Sequence, residues 1–216
     1  MIRAITIERE FGCGGSKVAS LVASRLSWRL WDEELTREIA RLTNCTPQAV
    51  EQREWRTDAR AYRILEDFLR GAFEGRLPPI DRLQLLDARR IAAVSEQAVV
   101  TAFSSGPSVI VGRGSDYFLR NRNDVFRVFV YGSRDCKIRR LIATGVPQDA
   151  AIKQVDTTDK HRAAFVARNL GLKWPNRCLY HAMFNTDAGE SCVASLLLQC
   201  AKQFESDSEM AIDSSG

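Results

Sequence analysis

A glycine-rich turn links the first apolar segment of the chain to an amphipathic one, in the sequence ITIEREFGCGGSKVAS at positions 5–20. Gly12, Gly14 and Gly15 lack a Cβ, so a backbone built from them can bring several N–H groups close to one anion. A helix that begins directly after the turn adds further N–H groups and a favourable dipole. The spacing predicts a phosphate-binding loop, whose contact residues are Gly12, Cys13, Gly14, Gly15, Ser16 and Lys17.

The loop departs from the usual consensus, which has a glycine, four free positions, a second glycine, a lysine and a serine or threonine. With Gly14 as the second glycine, Ser16 falls on the hydroxyl position that ligates Mg²⁺. Arg9 then stands on the first glycine and Gly15 on the lysine. Making Lys17 the lysine mismatches three other positions, so the first register is favoured.

A dinucleotide-binding turn is the alternative interpretation of the same segment. Its pattern, G-x-G-x-x-G with an acidic residue about 20 positions later, is matched by Gly12, Gly14 and Asp32. The pattern fails at its third glycine, where Lys17 stands and close helix–strand contact leaves no room for a long side chain. The segment therefore fits a phosphate-binding loop better than a dinucleotide-binding turn.

The composition is that of a globular chain with one domain. Apolar residues make up 45% and charged residues 27% of its 216 residues, enough for a sizeable core. The net charge of +4 is too small to favour nucleic acid as a partner. The six cysteines show no C-x-x-C pairing, which favours reduced thiols in the cytoplasm over a zinc or redox site. No apolar run approaches the length that spans a bilayer, so no membrane location is expected.

Strand-like and helix-like segments alternate along the chain, which predicts an α/β fold with a mostly parallel five-stranded sheet. The predicted strands are residues 2–7, 29–31, 108–111, 125–131 and about 181–185. Glycine, hydroxyl, acidic and arginine residues follow each of them, at positions 8–16, 32–34, 112–116, 132–134 and 186–187. Because ligands of such sheets lie beyond the carboxyl ends of the strands, we expect these residues to form one site.

Five segments together resemble the cytidylate kinase-like family, relatives of the bacterial cytidylate kinases among the P-loop nucleoside monophosphate kinases. They are ITIEREFGCGGSKVAS, LWDEELTREIA, SVIVGRGSDYFL, RVFVYGSRDCKIRRLI and VDTTDKHRAAF. The resemblance implies one P-loop kinase-like domain at 1–204, with a helical monophosphate-binding insertion at about 44–103 and an arginine-rich lid at about 134–170. Members of this branch typically lack the loop lysine. The acidic, serine-containing segment at 205–216 is predicted to be disordered.

The resemblance also implies cofactors, substrates and residue roles. ATP and Mg²⁺ are the implied cofactors, and the γ-phosphate would move to CMP or a similar small acceptor. The implied metal-binding residues are Glu8 and Ser16, and the implied substrate-binding residues are Asp32, Arg37 and Arg113. The implied catalytic residues are Arg113, Arg139, Arg140 and Arg162, with Asp156 and Asp159 completing a D-x-x-D-x-x-R series. The aspartate that would follow Arg113 and help to select the base is replaced by Gly114.

The missing lysine has a chemical consequence. Phosphoryl transfer depends on aligning donor and acceptor and on neutralising charge, and loss of one such cation typically costs roughly 10²- to 10³-fold in rate. Lys17 is a poor substitute, because two positions further along a helix it points roughly 200° away. Arg9, Arg113 or a lid arginine is the expected replacement.

Other functions compete with phosphoryl transfer. Gly15 and Gly114 favour a protein that binds nucleotide as a sensor without efficient turnover. An arginine-rich nucleic-acid binder is a weaker third interpretation. Arg139, Arg140 and the D-x-x-D-x-x-R series could equally be solvated helix surfaces with ordinary ion pairs. The sequence does not indicate an oligomeric state.

Overall fold

The computed structural model describes residues 1–43 and 88–213. Its strands are β1 (Ala4–Arg9), β2 (Arg29–Trp31), β3 (Ser108–Val111), β4 (Val125–Tyr131) and β5 (Ala182–Asn185). Its helices are α1 (Gly15–Leu26), α2 (Glu33–Thr43), α3 (Ala88–Ser104), α4 (Ser115–Phe118), α5 (Arg134–Ala143), α6 (Gln148–Leu170) and α7 (Glu190–Asp213). Two short 3₁₀ turns, Arg177–Leu179 and Thr186–Ala188, flank β5.

The five strands form one parallel sheet in the order β2-β3-β1-β4-β5. β1 is central, and its Ile5 lies opposite Val109 of β3 and Phe126 of β4. The central strands are apolar along their whole length because helices cover both faces of the sheet. The predicted α/β fold with five parallel strands is confirmed, and β2, β3 and β4 have the predicted bounds.

Two apolar cores lie on opposite faces of the sheet. On one face α1 and α7 pack against β1, with Val22 and Leu197 fully buried. On the other face α2 and α3 cover the sheet, with Leu35 and Val99 fully buried. Because α1 is held on β1 by this apolar contact, its N-terminus is placed directly beyond the carboxyl end of β1.

β1 and α7 differ from their predicted bounds. β1 begins at Ala4 and ends at Arg9, in each case two residues later than predicted, and its pairing with the long strand β4 continues to Arg9. α7 continues to Asp213, past the predicted domain end at residue 204, and Glu205 accepts a hydrogen bond from the Ile2 N–H at 2.8 Å.

Two further predictions were a helical insertion at 44–103 and the absence of a membrane-spanning segment. Of the predicted insertion at 44–103, only α3 lies in the described residues, and residues 44–87 lie outside them. Within the two described stretches, no helix is long and apolar enough to cross a membrane.

Candidate functional site

The loop between β1 and α1 has the backbone of an anion cradle. Gly12 and Gly14 have φ angles of +71° and +83°, in the left-handed region that favours glycine. Left-handed residues alternating with ordinary ones turn successive N–H groups toward one point. Within residues 1–43 and 88–213, no hydrogen bond has the N–H of Gly12 or Gly14 as its donor. These amides are therefore available to a phosphate.

Cys13 anchors the loop rather than contacting a ligand with its side chain. Its thiol is buried and lies 3.5 Å from the Val130 carbonyl oxygen, and burial raises its pKa to about 11. Its carbonyl accepts a hydrogen bond from the Thr186 hydroxyl at 2.6 Å. Ser16 and Lys17, by contrast, are exposed on the first turn of α1. Cys13 can therefore contribute its main chain, but not its side chain, to phosphate binding.

Arg140 is tied to the side of the loop. Its Nε donates to Glu190 Oε1 at 2.7 Å, and its Nη2 donates to the Thr186 carbonyl at 2.7 Å. A Cβ built on Gly14 would lie 2.7 Å from Glu190 Oε1, so this pair lies directly beside the loop. Arg139 is exposed on α5. The two adjacent arginines therefore have different environments, and only Arg140 lies near the loop.

A carboxylate from α6 holds the start of the loop. Asp159 Oδ1 accepts a hydrogen bond from the Phe11 N–H at 2.8 Å, and its Oδ2 lies 3.1 Å from Lys137 Nζ. Lys137 also donates to Glu10 Oε2 at 2.9 Å. No role was predicted for Glu10 or Lys137, because a single charged residue in a loop or on a helix does not reveal its partner. This cluster fixes α5 and α6 on the loop.

The D-x-x-D-x-x-R series divides into two environments. Asp156 pairs with Arg134 at 2.7 Å on the surface, with 40% of its side chain exposed. Arg162, six residues further along α6, has 14% of its side chain exposed and donates to the Arg9 carbonyl. Burial lowers the pKa of Arg162. The surface interpretation therefore suits Asp156, whereas Asp159 and Arg162 face the loop.

Removing Asp159 should destabilise the fold, while removing Asp156 should not. Asp159→Ala leaves the Phe11 N–H and Lys137 short of an acceptor, which we expect to lower the free energy of unfolding by about 1–3 kcal/mol. Asp156→Ala is the matched control, because it lies on the same helix and gains the same helix propensity. Urea unfolding measures both, and equal effects would contradict the loop-holding role of Asp159.

A cleft opens beyond the carboxyl ends of β1 and β3. Its charged lining includes Glu8, Arg9, Arg113, Asp116 and Arg162, and its aromatic lining includes Tyr117, Phe118, Trp174 and Tyr180. Arg113 has a φ of +62°, which non-glycine residues seldom adopt, and its Nη2 donates to Thr36 Oγ1 at 2.5 Å. Strained residues of this kind cluster at functional sites. The cleft is therefore the candidate acceptor site.

A buried carboxyl pair lies in this cleft. Burial and the neighbouring Glu8 carboxylate raise the pKa of Asp116 to about 7. The Tyr180 hydroxyl lies beside Asp116 and interacts with it, whereas the buried Trp174 Nε1 has no hydrogen-bond partner within the described residues. Buried polar groups are normally paired, so this indole N–H indicates a polar ligand. The segment 112–116 was predicted to belong to the site, but no role was predicted for Asp116, Trp174 or Tyr180.

The remaining predicted residues are dispersed. Asp32 lies at the loop, with its Oδ1 3.1 Å from Arg9 Nη2. Arg37 is exposed on α2, and its Nη2 lies 3.9 Å from Oε2 of the still more exposed Glu33. Glu8 lines the cleft with Asp116 and accepts a hydrogen bond from the Arg9 N–H. In the part of the chain that the structure describes, no three His, Cys, Asp or Glu side chains form a metal cluster.

Comparison with known proteins agrees with this geometry. A sequence model of the cytidylate kinase-like family matches residues 4–188, from the first strand to the turn that holds Arg140. The chain belongs to the cytidylate kinase-like family. A search of curated protein sequences found no match for this family member.

Solved structures similar to this cytidylate kinase-like protein include two shikimate kinases and an uncharacterized protein. The uncharacterized protein, from Eubacterium ventriosum ATCC 27560, has a TM-score of 0.56 and 23% identity, over 91% of this chain and 98% of that one. Shikimate kinase from Acinetobacter baumannii in complex with shikimate has a TM-score of 0.51 and 16% identity, over 94% of each chain. Shikimate kinase from Bacteroides thetaiotaomicron has the same score and identity, over 92% and 98%. At these identities the likeness shows the fold alone, which is that of P-loop kinases.

Proposed function

We propose that this protein transfers the γ-phosphoryl group of MgATP to a nucleoside monophosphate, with CMP as the first candidate. The observation that carries the proposal is that the loop and the cleft meet. Arg9, which begins the loop, lines the cleft, and its Nη1 lies 3.0 Å from where a Cβ on Gly112 would be. A donor phosphate on the loop amides would therefore face an acceptor in the cleft.

Each half of the site has groups suited to its substrate. The amides of Gly12 and Gly14, with the N-terminus of α1, suit the phosphates of ATP. Arg113 and Arg162 supply cations for the acceptor phosphate in the cleft. The unpartnered Trp174 N–H and the nearby Tyr180 hydroxyl suit the polar edge of a base or sugar. The proposed arrangement thus brings two anionic substrates together between arginines.

Mg²⁺ would neutralise charge on the transferred phosphoryl group. Such ions are held by one or two protein oxygens together with substrate phosphates and water. The exposed Ser16 hydroxyl, on the first turn of α1, fits this requirement. Glu8 is the second candidate oxygen ligand.

Nucleotide sensing without turnover is the second candidate function. It is favoured by Gly15, which leaves the loop without its lysine, and by the Phe11 N–H, which Asp159 already occupies. Both features reduce the number of groups that can stabilise the moving phosphoryl group.

A paired measurement of binding and turnover separates the two candidates. MgATP affinity is measured by calorimetry, and ADP production is measured against CMP, UMP, AMP and GMP. Ser16→Ala should lower turnover at least tenfold and raise the Mg²⁺ concentration that is required, since it removes a metal ligand. Ser20→Ala, an exposed serine one turn further along α1, is the matched control and should behave as wild type. Binding of ATP without turnover would establish sensing instead, and no binding would refute both.

A further inference from the structure

The two residues at which the loop departs from its consensus contact each other. A Cβ built on Gly15 would lie 2.8 Å from Arg9 Cβ and 3.0 Å from Arg9 Cδ. Real Cβ atoms do not approach other carbon atoms so closely. The φ of Gly15 is not in the left-handed region, so glycine is required there for space rather than for conformation. A lysine at position 15 cannot coexist with the observed position of Arg9.

The side chain of Arg9 crosses the place that a loop lysine would occupy. From the end of β1 it runs over Gly15, and its guanidinium reaches the ends of β2 and β3. There its Nη2 lies 3.1 Å from Asp32 Oδ1, and its Nη1 lies beside Gly112. The side chain is 21% exposed and lines the cleft. Its charge is therefore held at the junction of loop and cleft by Asp32.

The other described cations near the loop are placed differently. Arg140 is bound to Glu190 and Thr186, on the side of Gly14. Lys137 is bound to Glu10 and Asp159 at the start of the loop. Arg162, which also faces the loop, donates to the Arg9 carbonyl, and its Nη1 lies 3.5 Å from Asp159 Oδ1. The three atoms nearest to a Cβ on Gly15 all belong to Arg9, so it is the Arg9 side chain that lies across position 15.

We propose that Arg9 is the catalytic cation of this loop, binding the β- and γ-phosphates of ATP in place of the missing lysine. In the standard loop the first position is glycine and the seventh is lysine, whereas here the first is Arg9 and the seventh is Gly15. The cation would therefore be supplied by the end of β1 instead of the start of α1. A guanidinium suits this task because its fork binds two phosphate oxygens at once. This inference rests on the proposed function, because it assumes that the loop binds ATP.

Four proteins test the exchange: wild type, Arg9→Gly, Gly15→Lys and the double variant. Arg9→Gly should lower turnover by roughly 10²- to 10³-fold, the usual effect of losing one such charge. Gly15→Lys should also lose activity, because Arg9 obstructs the new side chain. The double variant restores the standard pattern, and its turnover should exceed that of each single variant at least tenfold. A double variant no better than the poorer single variant would overturn the proposal.

Ligand affinities of the Arg9→Met variant test the proposal without an acceptor substrate, provided that the variant is folded. Methionine preserves much of the stem over Gly15 but removes the charge, and thermal melting checks that the variant is folded. Its affinity should fall at least tenfold for MgATP and less than threefold for adenosine, which carries no phosphate and is not one of the candidate acceptors. Arg25→Met, which removes an exposed guanidinium from the far end of α1, should change neither affinity.

The outcomes separate this inference from the proposed function. If wild type binds MgATP and Arg9→Met binds it equally well, the role of Arg9 is wrong while the proposed function stands. If wild type does not bind MgATP at all, both are wrong. Selective loss of ATP affinity, together with recovery in the double variant, supports both.

Discussion

Replacing Arg113 by glycine should lower turnover by roughly 10²- to 10³-fold and leave the stability of the fold nearly unchanged. The loss of rate follows from removing a cation that lines the acceptor cleft. The stability is preserved because two effects oppose each other. Arg113 has a φ of +62°, and glycine relieves a strain of about 1 kcal/mol at such a position. Losing the hydrogen bond to Thr36 costs a similar amount, about 0.5–1.5 kcal/mol.

Arg113→Ala is the matched variant for this prediction. Alanine removes the same cation but keeps the strained backbone, so it should lose as much activity as glycine and be less stable by about 1 kcal/mol. Steady-state kinetics and thermal melting of both variants measure the two quantities separately. An active Arg113→Gly variant would remove Arg113 from the site. A glycine variant less stable than the alanine variant would show that the strain argument is wrong.

Asp116→Asn should make the protein more stable than wild type at pH 8 by on the order of 4 kcal/mol, and at pH 5 by less than half as much. The pKa of Asp116 is about 7 in the folded state, raised from 3.8 by burial and by Glu8. Between pH 4 and 7 the folded protein therefore keeps a proton that the unfolded chain has released, so wild-type stability falls as pH rises. The shift from 3.8 to about 7 corresponds to a loss on the order of 4 kcal/mol. Asparagine does not ionise, so the variant avoids this loss.

Urea unfolding at pH 5, 6, 7 and 8 gives the free energy of unfolding at each pH, and the effect is the difference in its slope against pH. Wild-type stability should decline across this range because of Asp116, and the Asp116→Asn variant should show a flatter profile. Asp135→Asn, an exposed carboxylate on α5, is the control and should keep the wild-type slope. Parallel profiles for wild type and Asp116→Asn would show that Asp116 is not held protonated in the fold. A carboxyl group retained at such a cost in the cleft is consistent with a role in ligand binding.

The order of elements and the loop could be predicted because their signals are local. The runs at 108–111 and 125–131 are β-branched and aromatic, and both are strands with the predicted bounds. Gly12 and Gly14 are in left-handed conformations, which few other residues adopt cheaply, so a glycine cluster after a strand is informative by itself. Alternation of strand and helix then restricts the topology to a parallel sheet.

The pairing of charged residues could not be predicted in the same way. Asp156 and Asp159 are three positions apart on one helix and have the same side chain. One lies on the surface with Arg134, and the other binds the Phe11 N–H, 148 positions away along the chain. Likewise, the sequence around Arg140 does not indicate that Glu190 is its partner, and the sequence around Asp116 does not indicate that Tyr180 lies beside it.

The sequence by itself determined the fold class, the glycine-rich turn between the first strand and the first helix, and the absence of a lysine at position 15, because propensity, glycine conformation and consensus spacing act over a few residues. The tertiary structure alone decided that Arg9 occupies the space of that lysine, that Asp159 holds the loop, and that Asp116 is buried beside Glu8. Each of these depends on distances between segments that are brought together only when the helices cover the sheet. Burial and nearby charges in the folded state change the pKa and the ionisation energy of a side chain far more than the adjacent residues in the sequence do.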